Sequence, residues 1–213
     1  MKHVSYRLAE ALERICKRKT LEHITVSEIA AEAGVTRQVF YHYFDDKFDL
    51  ASGIHYVHLY QSVKQALEEK KDHIWRRISL YWLRCLEQNK ALYANAFQSV
   101  SQKEFQRIIR DFFYTSFQTQ LELFLKRPLT MEEKFALRSY CVGSMELICE
   151  WVSRDTQILP EQMEELLAVS MPEIIYKIVV DMKDIPFDKV INKMEEYLSE
   201  TGLSQAIYRE ICS

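Results

Sequence analysis

Glycine and proline are scarce in this chain, with four of each in 213 residues. Sheet-rich folds use those two residue types at their many reversals, so the scarcity argues against a sandwich or barrel and for long helices. No uninterrupted apolar stretch is long enough to span a bilayer. Arg7, Glu10, Glu13 and Arg14 interrupt the place where a secretory leader would have its apolar core, which leads to the expectation of a soluble, cytoplasmic protein. The five cysteines, at 16, 85, 141, 149 and 212, include no Cys-x-x-Cys pair and read as reduced thiols buried like small apolar residues. Cys141 and Cys149 share a helical face but lie roughly 12 Å apart along it, too far for a disulfide. A glycine-rich phosphate loop, a serine nucleophile elbow and a His-Glu-x-x-His pattern are also missing, which argues against an enzyme of those classes. His55 and His58 stand at i and i+3 without a compact third and fourth ligand, so neither a metal nor a cofactor is expected.

What is present is most concentrated between residues 24 and 50, ITVSEIAAEAGVTRQVFYHYFDDKFDL. Thr25 and Glu28 have capping-box spacing, which starts a helix at Val26. Ile29, Ala30 and Ala33 share one face of that helix, small enough for a second helix to pack close. Gly34 suits the left-handed residue that ends a helix, and Val35 follows as an apolar plug. Thr36 is placed to cap a second helix in which Phe40 and Phe44 face the core. Arg37, Gln38, Val39, Tyr41, His42 and Tyr43 are then turned partly or wholly outward. An outward row of Arg, Gln, Tyr and His on the second helix of a helix-turn-helix suits a DNA major groove, where Arg and Gln pair with guanine and adenine edges. Asp45 and Asp46 act as caps of a further helix that begins near Lys47.

The same run is similar to the signature of the TetR family of bacterial transcription regulators, with Ile29-Ala30, Ala33-Gly34-Val35, Phe40-Tyr41, Phe44, Lys47 and Leu50 in order and spacing. The resemblance implies an all-α protein with a three-helix DNA-binding head, residues 1–48, and a divergent helical body, residues 49–213, that dimerises and holds a small-molecule effector. It implies phosphate contacts for Thr25, Tyr41 and Lys47, and base contacts, or near neighbours of them, for Arg37, Gln38, Val39, His42 and Tyr43; Thr36 caps the helix that carries these. Two departures stand out. Only Met1-Lys2-His3-Val4 precedes Ser5, which is too little for a basic minor-groove arm, and residues 1–44 carry seven Lys and Arg against five Glu, a balance of only +2. The Arg37-to-Leu50 segment also resembles the branch containing activators of dihydroxyacetone kinase operons, which leaves open whether the chain represses or activates.

Beyond the head, helices are expected from Ser5 to about Lys19, from Asp46 to about Lys71, and over 72–88, 90–98 and 101–126. Thr130 and Glu133 repeat the capping-box spacing and open a helix to about Arg154; Pro160 opens another to about Met182 that Pro172 kinks or splits. Pro186 begins a terminal section in which Thr201-Gly202 reads as a helix end. The body is dense in aromatics. By resemblance its effector cavity draws on Tyr81, Trp82, Cys85 and Tyr93, together with Phe97, Phe113 and Phe117. The dimer interface draws on Tyr140, Ser144, Leu147 and Trp151 of one helix and Leu167, Met171 and Ile175 of the next. The resulting expectation is a cytoplasmic homodimer that binds a pseudo-palindromic double-stranded DNA operator and responds to a small molecule as a repressor. The alternatives are an activator of the same family, or a helical dimer that has lost DNA binding and acts through protein partners.

Overall fold

The computed structural model describes residues 3–69, 73–98, 103–154 and 156–182, together with the isolated positions 189, 192 and 196. Among these residues there are ten α-helices, one 3-10 turn and no strand. The terminal section after Pro186, the helix end at Thr201-Gly202, and Cys212 lie outside the described residues.

The head comprises α1 (Val4–Cys16), a 3-10 turn (Leu21–His23), α2 (Val26–Ala33) and α3 (Arg37–Tyr43). Leu8, Leu12, Ile29, Phe40 and Phe44 meet in its core and are essentially inaccessible to water. Burying each such side chain contributes about 1.5–3 kcal/mol. The segment between α1 and α2 contains the 3-10 turn because Leu21 is drawn fully into that core.

The body follows as α4 (Lys47–Glu68), α5 (Ile74–Gln88), α6 (Lys90–Gln98), α7 (Lys103–Leu125), α8 (Met131–Ser153), α9 (Pro160–Val169) and α10 (Glu173–Val179). Asp46 caps α4 by accepting from the amides of Phe48 and Asp49 at 2.7 and 2.8 Å. With 22 residues, α4 is about 33 Å long. It packs on α1, α5 and α7, so one rigid element touches both head and body. The capping box that opens α8 is present, with the Glu133 amide donating to Thr130 Oγ1 at 3.2 Å and the Thr130 amide to Glu133 Oε2 at 2.7 Å. Arg127 also grips that carboxylate in a two-pronged pair and, with the capping bonds, holds its pKa down at about 2. The helix expected from Pro160 to Met182 is split: α9 closes at Ser170, and α10 starts after Pro172, which has no amide hydrogen to continue the ladder. Arg76 with Glu164, at 2.7 Å, and Arg84 with Glu161, at 2.8 Å, tie α5 to α9.

No helix among the described residues is long and apolar enough to cross a membrane. Cys16, Cys141 and Cys149 are buried free thiols, and burial pushes their pKa values up to about 12, 12 and 11, which keeps them protonated and unreactive.

Candidate functional site

The turn between α2 and α3 is fixed by local chemistry. Thr25 Oγ1 accepts from the Glu28 amide at 3.2 Å, while the Thr25 amide donates to Glu28 Oε2 at 2.8 Å. Lys19 donates to the same carboxylate at 2.6 Å and, with the Thr25 bonds, pulls its pKa down to about 2. Gly34 ends α2 at φ 66°, ψ 40°, in the left-handed region. A Cβ at this position would stand 3.0 Å from Arg7 Nη2, because the Arg7 guanidinium reaches across from α1 to donate to the carbonyls of Ala33 and Gly34. Arg7 is a positioning residue that the sequence reading counted only as charge; nothing local in its neighbourhood signals a partner 26 residues away.

Thr36 caps α3 by accepting from the Val39 amide at 3.3 Å. With Phe40 and Phe44 buried beneath it, α3 exposes Arg37, Gln38, Tyr41 and His42 on one face, with Val39 and Tyr43 half-buried at its edges. The Arg37 guanidinium lies 5.9 Å from the Tyr41 ring centroid, and His42 packs edge-on against Tyr43 at 5.2 Å. Four adjacent donors and aromatic tips thus share a surface about two turns long. Lys47 is placed differently from the others. Its ammonium donates to the carbonyls of Glu22 and Ile24 at 2.7 and 2.8 Å, closing the 3-10 segment onto the start of α4, and burial pushes its pKa down. Thr25 likewise has its hydroxyl engaged by Glu28.

A polar junction joins head to body. The Tyr93 hydroxyl on α6 lies 2.9 Å from His58 Nδ1 and 3.3 Å from His55 Nδ1, both on α4. His58 Nε2 is 3.6 Å from a Glu13 carboxylate oxygen on α1, and Asn95 Nδ2 donates to the Cys16 carbonyl at 3.3 Å. The two histidines weighed as a metal pair therefore share one phenol instead. No metal-binding cluster of three or more ligands occurs among the described residues.

The aromatics expected to surround one cavity divide into two groups. Trp82, Phe113 and Phe117 do line a slot of about 50 Å3 between α4, α5, α7, α8 and α9. Trp82 and Phe113 stack at 5.3 Å with 19° between their planes. The other four lie elsewhere: Tyr93 is consumed by the histidine junction, Phe97 stacks on Tyr93, Tyr81 donates to Glu69, and Cys85 lies beside Ser62. Their shared sequence neighbourhood placed them together, but successive turns of α5 and α6 aim them at different neighbours. Trp75 and Ser116 line the slot without having been anticipated. Trp75, Trp82 and Ser116 all line the slot, and Trp75 Nε1, Trp82 Nε1 and Ser116 Oγ are buried with no hydrogen-bond partner on the protein.

Most of the residues expected at a dimer interface face inward within the protomer. Ser144, Trp151, Leu167, Met171 and Ile175 are buried in the protomer's own core, and the half-buried Tyr140 donates to the Leu167 carbonyl at 3.0 Å. Only Leu147 of the seven is exposed. The outward apolar side chains on α8, α9 and α10 include Phe135, Val142, Leu147, Leu166, Val169 and Ile174. The expectation selected the large inward stripe of each helix, because both stripes are apolar and composition alone does not rank them.

Residues 10–54 match the family model for bacterial regulatory proteins of the tetR family, and residues 74–173 match one for a transcriptional regulator C-terminal region. The fold resembles that of the dihydroxyacetone kinase operon activator DhaS, at 17% identity over 92% of this chain and 97% of that one, with a TM-score of 0.53. A tetR-family transcriptional regulator from Streptomyces coelicolor aligns at 16% identity over 100% of this chain and 90% of that one, with a TM-score of 0.48. No curated protein matches the chain in sequence.

Proposed function

This chain belongs to the TetR family of bacterial regulatory proteins, which are DNA-binding transcription regulators and not enzymes, and from that premise we propose that it is a ligand-responsive repressor acting as a homodimer on a pseudo-palindromic operator. The observation that carries the DNA-reading part is the outward face of α3, where Arg37, Gln38, Tyr41 and His42 stand clear of a core filled by Phe40 and Phe44. In this reading Arg37 and Gln38 contact base edges, with Val39, His42 and Tyr43 beside them, and Tyr41 contacts phosphate. Thr25, Thr36 and Lys47 hold the frame, and they offer phosphates only what their internal bonds leave free. A charge of only +2 over residues 1–44 gives weak attraction per head, so affinity depends on two heads engaging together.

The second copy is proposed to seat on the outer face of α8 and α9 that carries Val142, Leu147, Leu166 and Val169. The domain boundary proposed between residues 48 and 49 falls in the first turn of α4, so head and body share that helix. Leu59 of α4 lines the slot, and the adjacent His58 meets Glu13 of the head. A ligand that favours one position of α4 would thereby shift the heads, provided it binds the two states unequally.

The test is a salt titration of binding to genomic fragments, with and without ligand. A repressor of this kind shows steep loss of affinity with salt and further loss when ligand saturates. An activator keeps its operator affinity at saturation, and a protein-binding helical dimer shows no sequence preference at any salt concentration.

A further inference from the structure

We infer that the slot in the body selects a single-ring, uncharged molecule bearing a hydrogen-bond acceptor, and that Trp75, Trp82 and Ser116 are the residues that recognise that acceptor. The inference rests on reading the slot as the effector site, and it concerns what the site takes.

Three properties of the walls set the ligand's chemistry. The first is charge. None of the side chains lining the slot is acidic, basic or a histidine, and burial pushes the Tyr140 phenol up to about 12, which keeps it neutral. An ionised ligand would be stripped of water with no counter-charge to replace it, a cost of several kcal/mol that excludes carboxylates and amines in their charged forms. The second is hydrogen bonding. Trp75, Trp82 and Ser116 are 6, 3 and 6% exposed, and the indole N–H groups and the hydroxyl have no partner on the protein. An indole N–H can only donate. Two obligate donors on residues that line a largely apolar slot therefore ask for an acceptor, and satisfying them recovers their desolvation cost.

The third property is shape. The walls include the stacked Trp82 and Phe113 as well as Phe117 and Tyr140, surfaces that favour a ring lying flat or edge-on. The space open to the centre of a water-sized sphere is about 50 Å3, more than a single water occupies. With small side-chain adjustments that space suits a single ring.

Three near-isosteric probes separate these requirements. Acetophenone is neutral and carries a carbonyl acceptor, α-methylstyrene has the same outline with no acceptor, and benzoate has acceptors and a charge. The readout is the indole N–H region of a 1H–15N NMR spectrum of the full-length protein, with peaks assigned by single Trp→Phe variants. Trp151 is an internal control, since its indole already donates to the Ile158 carbonyl at 2.8 Å. Acetophenone is expected to move the Trp75 and Trp82 indole protons downfield in a saturable way while Trp151 stays in place. α-Methylstyrene should bind about three- to tenfold more weakly, the value of a net hydrogen bond, and benzoate should leave both peaks where they were. Trp82→Phe and Ser116→Ala should weaken acetophenone by a similar factor without changing α-methylstyrene.

The inference is overturned if benzoate binds as well as acetophenone, if α-methylstyrene matches it, or if millimolar acetophenone moves neither indole, as a slot that merely holds water would behave. Operator binding measured on the same samples keeps the two readings apart. Indole shifts without any change in operator affinity would support the ligand class and remove the effector role. Operator release by a charged ligand that binds in the slot would do the reverse.

Discussion

In the head, the side chains offered to a partner point outward from one seven-residue helix, α3; in the body they point inward from five helices around a slot. The first surface is specified over a few residues by a helical period, two buried phenylalanines and a cap at each end. The second exists only where Leu59, Trp82, Phe113, Tyr140 and Leu167 converge from separate helices. A local surface of this kind tolerates change elsewhere in the chain. A convergent one is altered by any shift in helix packing, a property suited to sensing.

The largest expected effect comes from removing the floor of the local surface. Phe40 is fully buried under α3, so Phe40→Ala should cost the head about 3–5 kcal/mol. If the two regions are as separable as their construction implies, the head melts first and the body's slot still binds its ligand. Denaturation followed by near-ultraviolet circular dichroism and by the Trp82 indole resonance checks this. A single transition lowered equally for both probes would show that α4 makes them one cooperative unit.

Side chains on the outward face should matter for binding and little for folding. Arg37→Ala and Gln38→Ala are expected to relax choice at particular base pairs by about 1–3 kcal/mol each. Tyr41→Ala should weaken specific and random DNA alike. Melting temperatures of all three should stay near that of the parent, and competition binding with single-base operator variants distinguishes the roles. Equal losses on specific and random DNA for all three would remove the division.

Acid should reach the body before the head. His55 is buried among Tyr93, Trp82, Phe112 and His58, and burial, with a smaller contribution from His58, pushes its pKa down to about 3. An unfolded histidine titrates near 6.5, so the neutral ring's stability is fully present above that pH and is lost as pH falls toward 3. At roughly 1.4 kcal/mol per pH unit, the loss is about 2 kcal/mol by pH 5. The head's perturbed carboxylates, Glu28 and Glu32, are both held down, Glu28 at about 2, so their contribution is present above about 4.5 and declines only below it. Stability measured by urea denaturation from pH 7 to 5 should therefore fall in the parent and flatten in His55→Gln, which keeps a hydrogen-bonding group but cannot titrate.

The same contrast decides what could be read from the sequence. Capping boxes at Thr25 and Thr130, the Asp46 cap and the Phe40-Phe44 spacing are signals carried by adjacent residues, and each stands in the structure where its spacing put it. Helix starts were legible for the same reason, whereas α1 ends at Cys16, before the expected Lys19, and α9 closes at Ser170. The slot was legible only in part, because an aromatic residue on an amphipathic helix shows in sequence that it is buried but not which neighbour it meets. Trp82 faces the slot, whereas Tyr93, one helix later, faces two histidines. The expected interface residues meet the same ambiguity: α8 has apolar side chains on its inner and outer stripes, and only the packing of α6, α7 and α10 against it determines which stripe is inner in the protomer.

The smallest effect tests whether the head is as local as it looks. Gly34→Ala forces a Cβ onto a left-handed residue, costing about 1–2 kcal/mol, and sets that Cβ 3.0 Å from Arg7 Nη2. The guanidinium is the far end of a flexible side chain and can withdraw, but withdrawal breaks its bonds to the Ala33 and Gly34 carbonyls, each worth about 0.5–1.5 kcal/mol net. Arg7→Met alone removes those bonds while leaving the turn geometry intact. If the turn were purely local, the two substitutions would add. Because Arg7 already stands where the new Cβ must go, the double variant should instead be more stable than the sum predicts, by about the value of one hydrogen bond. A double-mutant cycle in urea measures that coupling, and strict additivity would show that the new Cβ leaves the bonds from Arg7 undisturbed.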